Sequence, residues 1–591
     1  MSEPPRSTGS FSERFTTPAF LLLAAGFFLV LQQVFVPIEE FIHRSDDAYS
    51  YFKIAANFPE THSWTFDGIH PTNGVQPLWA VILSGFAQLL SWIGITDPTV
   101  VARIFVAITA LAHFESTLLL FQLLRRRVSL STAVIAAGAF LVPLGIVWQR
   151  TWGMENSLYA LLLLGTVAYF EIRFRESPTG WKAVLLGLLL GLTGLARLNA
   201  MLLIPCLLVY FVLRSPQPAL RIRLSLGGIS AAVAGLVALP YFAVTYASTG
   251  YLLPVSGEVK KLAITRYLDL NGLEGRASPH YVFAVLRDTY DWLGWFVLSR
   301  AGDALWIIGL RAVEDEGRPL VVVAPVLLLL LGVLPFLARS GRTWPSFLGE
   351  RFSRLTPFGY VLVFGAINAA ISVFVYPNEV STAIVRWWWA ENEIIVVVIV
   401  ATFVAASIGF LAEQWVPGRL HLPLATAGLV LLVGASAVQT ARFYWDDSVQ
   451  SRDWHRSFND DMYDAAKWLE ANVPEDAIVG SWNSGILGFY SSQHVVNLDG
   501  ILNDYEIVPY LEEHRIVDYI ERERIGYLSE AQGLLCSVAP EALREFELRR
   551  IYSSPLPLFK THYVIYEVLG RRGTTDESAF ARSCGPDASD T

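Results

Sequence analysis

Apolar runs of about 20 residues, the length a helix needs to cross a bilayer, recur from the start of the chain to about residue 440. The first, residues 18–37, is long and is followed by no small-residue cleavage pattern, so it reads as a retained span rather than a signal peptide. Basic residues punctuate the later runs in five places. These are Arg125, Arg126 and Arg127; Arg173, Arg175 and Lys182; Arg214, Arg221 and Arg223; Arg339, Arg342, Arg351 and Arg354; and Arg419. Short cytoplasmic loops collect Lys and Arg, which puts all five inside. Working outward from them predicts spans near 100–123, 130–148, 156–173, 181–195, 198–213, 224–247, 318–338, 356–376, 390–412 and 422–440. With the first span that makes about eleven, the N-terminus inside and the tail outside. The apolar run 77–95 breaks the alternation, because a crossing there would carry the triple arginine outside. It is expected to lie along the outer face or dip into it. The large outer loops are then 38–99 and 248–317.

After residue 440 the pattern becomes globular. Residues 459–472 have a capping start, apolar positions at helical spacing and a proline soon after. Short runs at 477–480, 494–498, 546–548 and 562–566 read as strands, the first two closed by Asn-Ser-Gly and Asp-Gly turns. The expected division is therefore a membrane domain over 1–440 and an α/β domain over 441–591, with its last twenty residues disordered.

Composition agrees with this picture. Of 591 residues, 53% are hydrophobic and 16% charged, against roughly 25% charged in ordinary soluble domains. The net charge of −9 comes largely from the tail and loops and does not point to a nucleic-acid partner. The sequence has no nucleotide-binding glycine motif and no metal-ligand spacing. Of three cysteines, Cys206 falls in an apolar run; Cys536 and Cys584 lie in the tail, where an oxidising compartment would let them pair.

Candidate chemistry gathers on the outer side. Asp46 and Asp47 are adjacent acids at the membrane edge, where ionisable groups are costly and usually functional; the plain alternative is two loop acids facing water. His70 and Asn73 follow in the same loop. Lys260 and Lys261 in the second loop suit a phosphate or anchor the loop to headgroups. Arg150, Glu155, Arg197 and Arg386 lie in smaller outer turns, and cations there run against the charge bias. In the tail, Asp499, Asn503 and Asp504 are either a polar site or ordinary strand-end turns.

Taken in order, Asp46-Asp47-Ala48-Tyr49, His70-Pro71-Thr72-Asn73-Gly74, Pro77-Leu78-Trp79, Gly153-Met154-Glu155, Arg197 with its neighbours, and Leu253-Pro254-Val255-Ser256 resemble a known pattern. The chain over roughly 17–440 is similar to the bacterial GT-C glycosyltransferases, akin to protein mannosyltransferases and mycobacterial arabinofuranosyltransferases. The resemblance implies a polytopic α-helical GT-C fold in the bacterial plasma membrane, with a periplasmic active site serving the cell envelope. It implies an inverting glycosyltransferase moving a sugar from a polyprenyl-phosphate donor to a hydroxyl of a glycan, lipid or protein. Asp46 or Asp47 would be the base, with Asp46 preferred because relatives usually place the base first. Lys260, Lys261, Arg386 and Arg197, in falling order, would hold the leaving phosphate. His70 and Asn73 would orient the acceptor or the aspartate, and Glu155 would hold Arg150 or the acceptor. No cofactor is required; a divalent cation on Asp46 and Asp47 is left open, since some relatives use one. Many relatives carry an aromatic and a second histidine after the His-Pro-Thr-Asn-Gly segment, where this chain has Val75 and Gln76, so no role for that histidine carries over. The rival classes are a transporter or lipid-linked glycan flippase, against which the sequence shows no internal repeat, and an inactive relative whose tail binds glycans.

Overall fold

A computed structural model of the chain describes residues 34–126, 130–141, 152–215, 218–270, 454–555, 562–574 and 576–584, with a few positions between 24 and 31 and between 360 and 367. The expected spans near 318–338, 390–412 and 422–440, and most of that near 356–376, lie outside the described residues. Among the described residues, three helices are long and apolar enough to cross a membrane: Pro98–Arg125 (α3), Asn156–Phe174 and Leu220–Thr249. The second is helix α5, Asn156–Tyr169, prolonged by a π turn at Phe170–Phe174; the third is α8. Shorter apolar helices are Pro77–Trp92 (α2), Leu130–Leu141 (α4), Gly180–Ala196 (α6) and Leu203–Arg214 (α7). They make this a multi-pass membrane protein.

Helix α3 shows how the boundaries arise. Its N-cap Asp97 accepts a hydrogen bond from the Val100 N–H, Pro98 occupies the first turn where no N–H is needed, and the helix runs out at the arginines. At its start, the Arg103 guanidinium donates to the Val34 carbonyl and lies over the Phe41 ring. The beginning of α3 is therefore on the same side as the stretch leading to Asp46. At the far end, Arg126 meets Glu176 at 3.3 Å and the Lys182 ammonium donates to the Arg173 carbonyl. The Arg223 guanidinium likewise donates to the Val212 and Ser215 carbonyls. One end of the bundle thus collects the basic turns, and the other carries Asp46, Glu155 and Arg197.

The stretch expected as an outer loop holds a helix, Asp46–Thr61 (α1), and the second loop begins with another, Val255–Leu270 (α9). The tail opens with Trp454–Asn472 (α10) and builds a five-stranded sheet in the order β2-β1-β3-β5-β4. Its strands are Ile478–Ser481 (β1), His494–Asn497 (β2), Tyr527–Ala531 (β3), Phe546–Ser553 (β4) and Tyr563–Arg571 (β5). β1 pairs parallel with β2 and β3, while β5 is antiparallel to β3 and β4. The short helix Gly485–Tyr490 (α11) lies between β1 and β2. β3 escaped the sequence reading because Ser529 and Glu530 break its apolar pattern; both are fully buried. Glu530 is accommodated by accepting the N–H groups of Asn483 at 2.9 Å and Ala531 at 2.8 Å.

Cys536 and Cys584 form a disulfide with Cα atoms 5.8 Å apart. Part of the end expected to be disordered is instead the helix Glu577–Cys584, held by that bond and by the Arg544 guanidinium stacked on Phe580. The tail does not hang free. One buried cluster joins Tyr49, Phe52, Trp79 and Phe105 of the membrane part to Met462, Leu469, Ile486, Leu487 and Phe489 of the tail. Such burial contributes roughly 1.5–3 kcal/mol per large apolar side chain, which makes the first loop and the tail one packed body.

Candidate active site

The site begins at the first turn of α1, where acids complement the helix dipole. Because the backbone is helical rather than extended, the neighbours Asp46 and Asp47 point about 100° apart and do different jobs. Asp46 faces the tail. Its Oδ2 accepts the Gly485 N–H at 3.1 Å and its Oδ1 the Ile486 N–H at 2.7 Å, satisfying the open donors at the start of α11. The approach is so close that a Cβ on Gly485 would lie 2.1 Å from the Asp46 carbonyl oxygen. Burial raises Asp46 to about 6, against the two amide bonds that pull it down. The segment before it is tied to α10: Asn459 Nδ2 donates to the carbonyls of Ile42 and Arg44, and His43 meets Asp460 at 2.7 Å.

Asp47 faces away from the tail helix. It is solvent-accessible yet closely surrounded by protein, so it lines a recess rather than an open surface. Burial raises its carboxyl, the Lys260 ammonium lowers it and Glu155 raises it again. The charge of Asp47 in turn raises Asp46 and Asp499.

Lys260 stands on α9, whose first turn is anchored by Asn73: the Asn73 Oδ1 accepts the Val255 N–H at 2.9 Å. Burial lowers the Lys260 ammonium; Asp47, Glu155 and Asp499 raise it, and Arg197 lowers it. Arg197 sits at the break between α6 and the 3₁₀ turn Leu198–Leu202. It is buried, 2.8 Å from Asn156 Oδ1 and 3.5 Å from the buried Glu155. Gln76 staples this break to the first loop. Its side-chain oxygen accepts the Leu198 N–H at 3.1 Å, and its own N–H donates to the Tyr51 hydroxyl at 3.0 Å. The Glu155 carboxylate lies close to that hydroxyl.

The recess therefore brings together Asp47, Glu155, Arg197 and Lys260 with Asp499 from the turn after β2, all of them singled out from the sequence. The Asp499 Oδ1 accepts the Ile501 N–H at 2.8 Å, and burial first, then Asp47 and Asp46, raise it to about 7. Other candidates fall elsewhere. His70 is gripped by Asp67 at 2.6 Å and by Glu523 of the tail at 3.2 Å, an ionic tie between the two halves. The aspartate it orients is Asp67, not one of the pair. Lys261 points outward into an ion pair with Glu258 at 2.7 Å. Glu155 holds Arg197; Arg150 and Arg386 lie outside the described residues. Both Asp46 oxygens are taken by amides, Asp47 has an ammonium for company, and no three potential ligands converge among the described residues.

Comparison with known proteins bears on the fold. The apo oligosaccharyltransferase of Archaeoglobus fulgidus matches with a TM-score of 0.51 at 14% identity, over 98% of this chain and 78% of its own. ArnT from Cupriavidus metallidurans, solved bound to undecaprenyl phosphate, gives a TM-score of 0.47 at 13% identity, over 94% of this chain and 98% of its own. A domain of unknown function, DUF8728, matches residues 450–577. No curated protein matches the sequence. The chain has the fold of the GT-C glycosyltransferases.

Proposed function

We propose that this protein is an inverting glycosyltransferase that moves a sugar from a polyprenyl-phosphate donor to an acceptor hydroxyl at the outer face of the plasma membrane. The observation that carries the reading is one recess holding an accessible carboxylate, Asp47, beside two cations, Lys260 and Arg197. Group transfer from a phosphate needs both. Asp47 accepts the proton of the acceptor hydroxyl as that oxygen bonds to the anomeric carbon. The bond from the anomeric carbon to the phosphate oxygen breaks on the opposite face, and its electron pair leaves with the lipid phosphate. Lys260 stabilises the charge that develops there, and Arg197, paired with Glu155 and Asn156, adds its field. Asp46 docks the tail and thereby fixes the helix from which Asp47 projects. The basic turns at the opposite end of the bundle support an outward-facing recess, and the apolar helices beneath it suit a lipid-linked donor.

The test is incubation of purified protein with a panel of radiolabelled polyprenyl-phosphate sugars, reading transfer or slow hydrolysis. Asp47→Asn keeps the shape and cannot take the proton, so transfer should fall by about 10²–10⁴. A wild-type rate in Asp47→Asn overturns the assignment of the base, and a full panel left untouched by the wild-type protein overturns the donor class.

A further inference from the structure

Asp499 belongs to the tail, yet its turn is wedged into the membrane part. Gly500, with φ of +83°, lies so close to α9 that a Cβ there would be 3.0 Å from Val259 Cγ2, the neighbour of Lys260. Ile501 presses its carbonyl on Gly74 of the first loop. Tyr505 stacks flat on Tyr251, rings 4.5 Å apart, and bonds the Leu253 carbonyl just before α9. The Asp499 side chain is held by the Ile501 N–H and by Asn497. Its charged surroundings are Asp46 and Asp47 from α1 and Lys260 from α9.

The charges of the recess can be counted. Among the described residues, Arg197 offsets Glu155 and Lys260 offsets Asp47, so Asp46, which accepts the two amides of α11, and an ionised Asp499 are already in excess. A donor phosphodiester brings one more negative charge to the same place. If Asp499 holds a proton, one of these excess charges vanishes and an O–H donor takes its place.

We propose that Asp499, supplied by the C-terminal domain, is a further donor-binding residue of this site, which in its protonated form donates a hydrogen bond to the leaving phosphate beside Lys260. Asp47 and Asp499 then divide the work: the first is ionised and accepts the acceptor's proton, the second stays neutral and receives the phosphate. The tail is part of the active site rather than an appendage. This inference rests on the polyprenyl-phosphate reading above. Burial and the neighbouring aspartates, which raise Asp499 to about 7, agree with it.

The experiment uses the full chain in detergent and the methyl ester of a short isoprenyl phosphate, a phosphodiester whose charge does not change near neutral pH. Wild-type affinity should be level below pH 7 and then fall by up to roughly tenfold for each pH unit above it, because binding holds the proton. Asp499→Asn keeps a side-chain oxygen for the Ile501 N–H and an N–H donor for phosphate. Its affinity should stay level through pH 8.5 and there exceed the wild type's. Lys260→Ala should weaken binding at every pH. A wild-type curve without the fall overturns the Asp499 assignment with no variant needed. A fall that persists in a folded Asp499→Asn overturns it too, placing the titration on Lys260 instead. In both cases, weakening by Lys260→Ala leaves the phosphate reading intact. Failure of the wild type to bind the probe at any pH overturns the phosphate reading and this assignment together.

Discussion

The contact between Asp46 and Gly485 lets the docking of the two halves be tested by one methyl group. In Gly485→Ala the new Cβ would start 2.1 Å from the Asp46 carbonyl oxygen and 2.8 Å from its Oδ1. Ordinary contact begins at 3.4 Å, so the interface must open by 3.4 − 2.1 = 1.3 Å. Opening by that amount takes the amide bonds of 2.7 and 3.1 Å out of range. A gap of this width excludes water, so rehydration does not compensate. Two hydrogen bonds to a charged group contribute roughly 1.5–3 kcal/mol each, or about 3–6 kcal/mol together. At about 1.36 kcal/mol per tenfold, exchange of the amides of residues 485 and 486 should accelerate by roughly 10²–10⁴. Hydrogen exchange followed by mass spectrometry on the detergent-solubilised chain measures this. The control is Gly526→Ala, where a Cβ meets nothing within 4 Å. Equal exchange over α11 in the two variants would refute the reasoning, because it would mean that Asp46 does not hold the tail.

Lys260→Ala should weaken donor use by about 10- to 100-fold, from the loss of one charge-assisted contact. Lys261→Ala should stay within about twofold of wild type, since its exposed pair with Glu258 contributes little; donor KM in the two variants decides between them. His70 carries the pH dependence of docking. Its hydrogen bond to Asp67 first, then the charges of Asp67, Asp504 and Glu523, raise it from 6.5 to about 9 against the cost of burial. The stability it contributes is therefore complete below pH 6.5 and is lost as pH rises through about 9. Proteolytic release of the tail should increase between pH 7 and 10 in the wild type and change less in His70→Gln; parallel curves would remove His70 from the interface.

Much of this protein was legible along the chain because the signals are local. A 20-residue apolar run declares a membrane helix by its own transfer free energy, and basic turns declare their side one loop at a time. For the same reason the helix starting near residue 459 and four of the five strands could be read, each within its own segment. The acids at 46 and 47, the lysine at 260 and the buried Glu155 and Arg197 also stood out, as charges in apolar or outward-facing surroundings where charge is expensive.

What the pattern could not show is which of these groups meet. A sequence treats Asp46 and Asp47 as equals; one residue step of the helix separates them by about 100°, giving one to the tail and the other to the recess. His70 looked like an active-site residue until packing set Glu523, more than 450 residues later, against its other nitrogen. Asp499 could be read as a polar site or as an ordinary turn residue, because only the docking of the tail brings it to Lys260. The recess draws on five distant segments, around 47, 155, 197, 260 and 499. Its electrostatics depend on distances through a low-dielectric interior, and those distances exist only once the chain is packed.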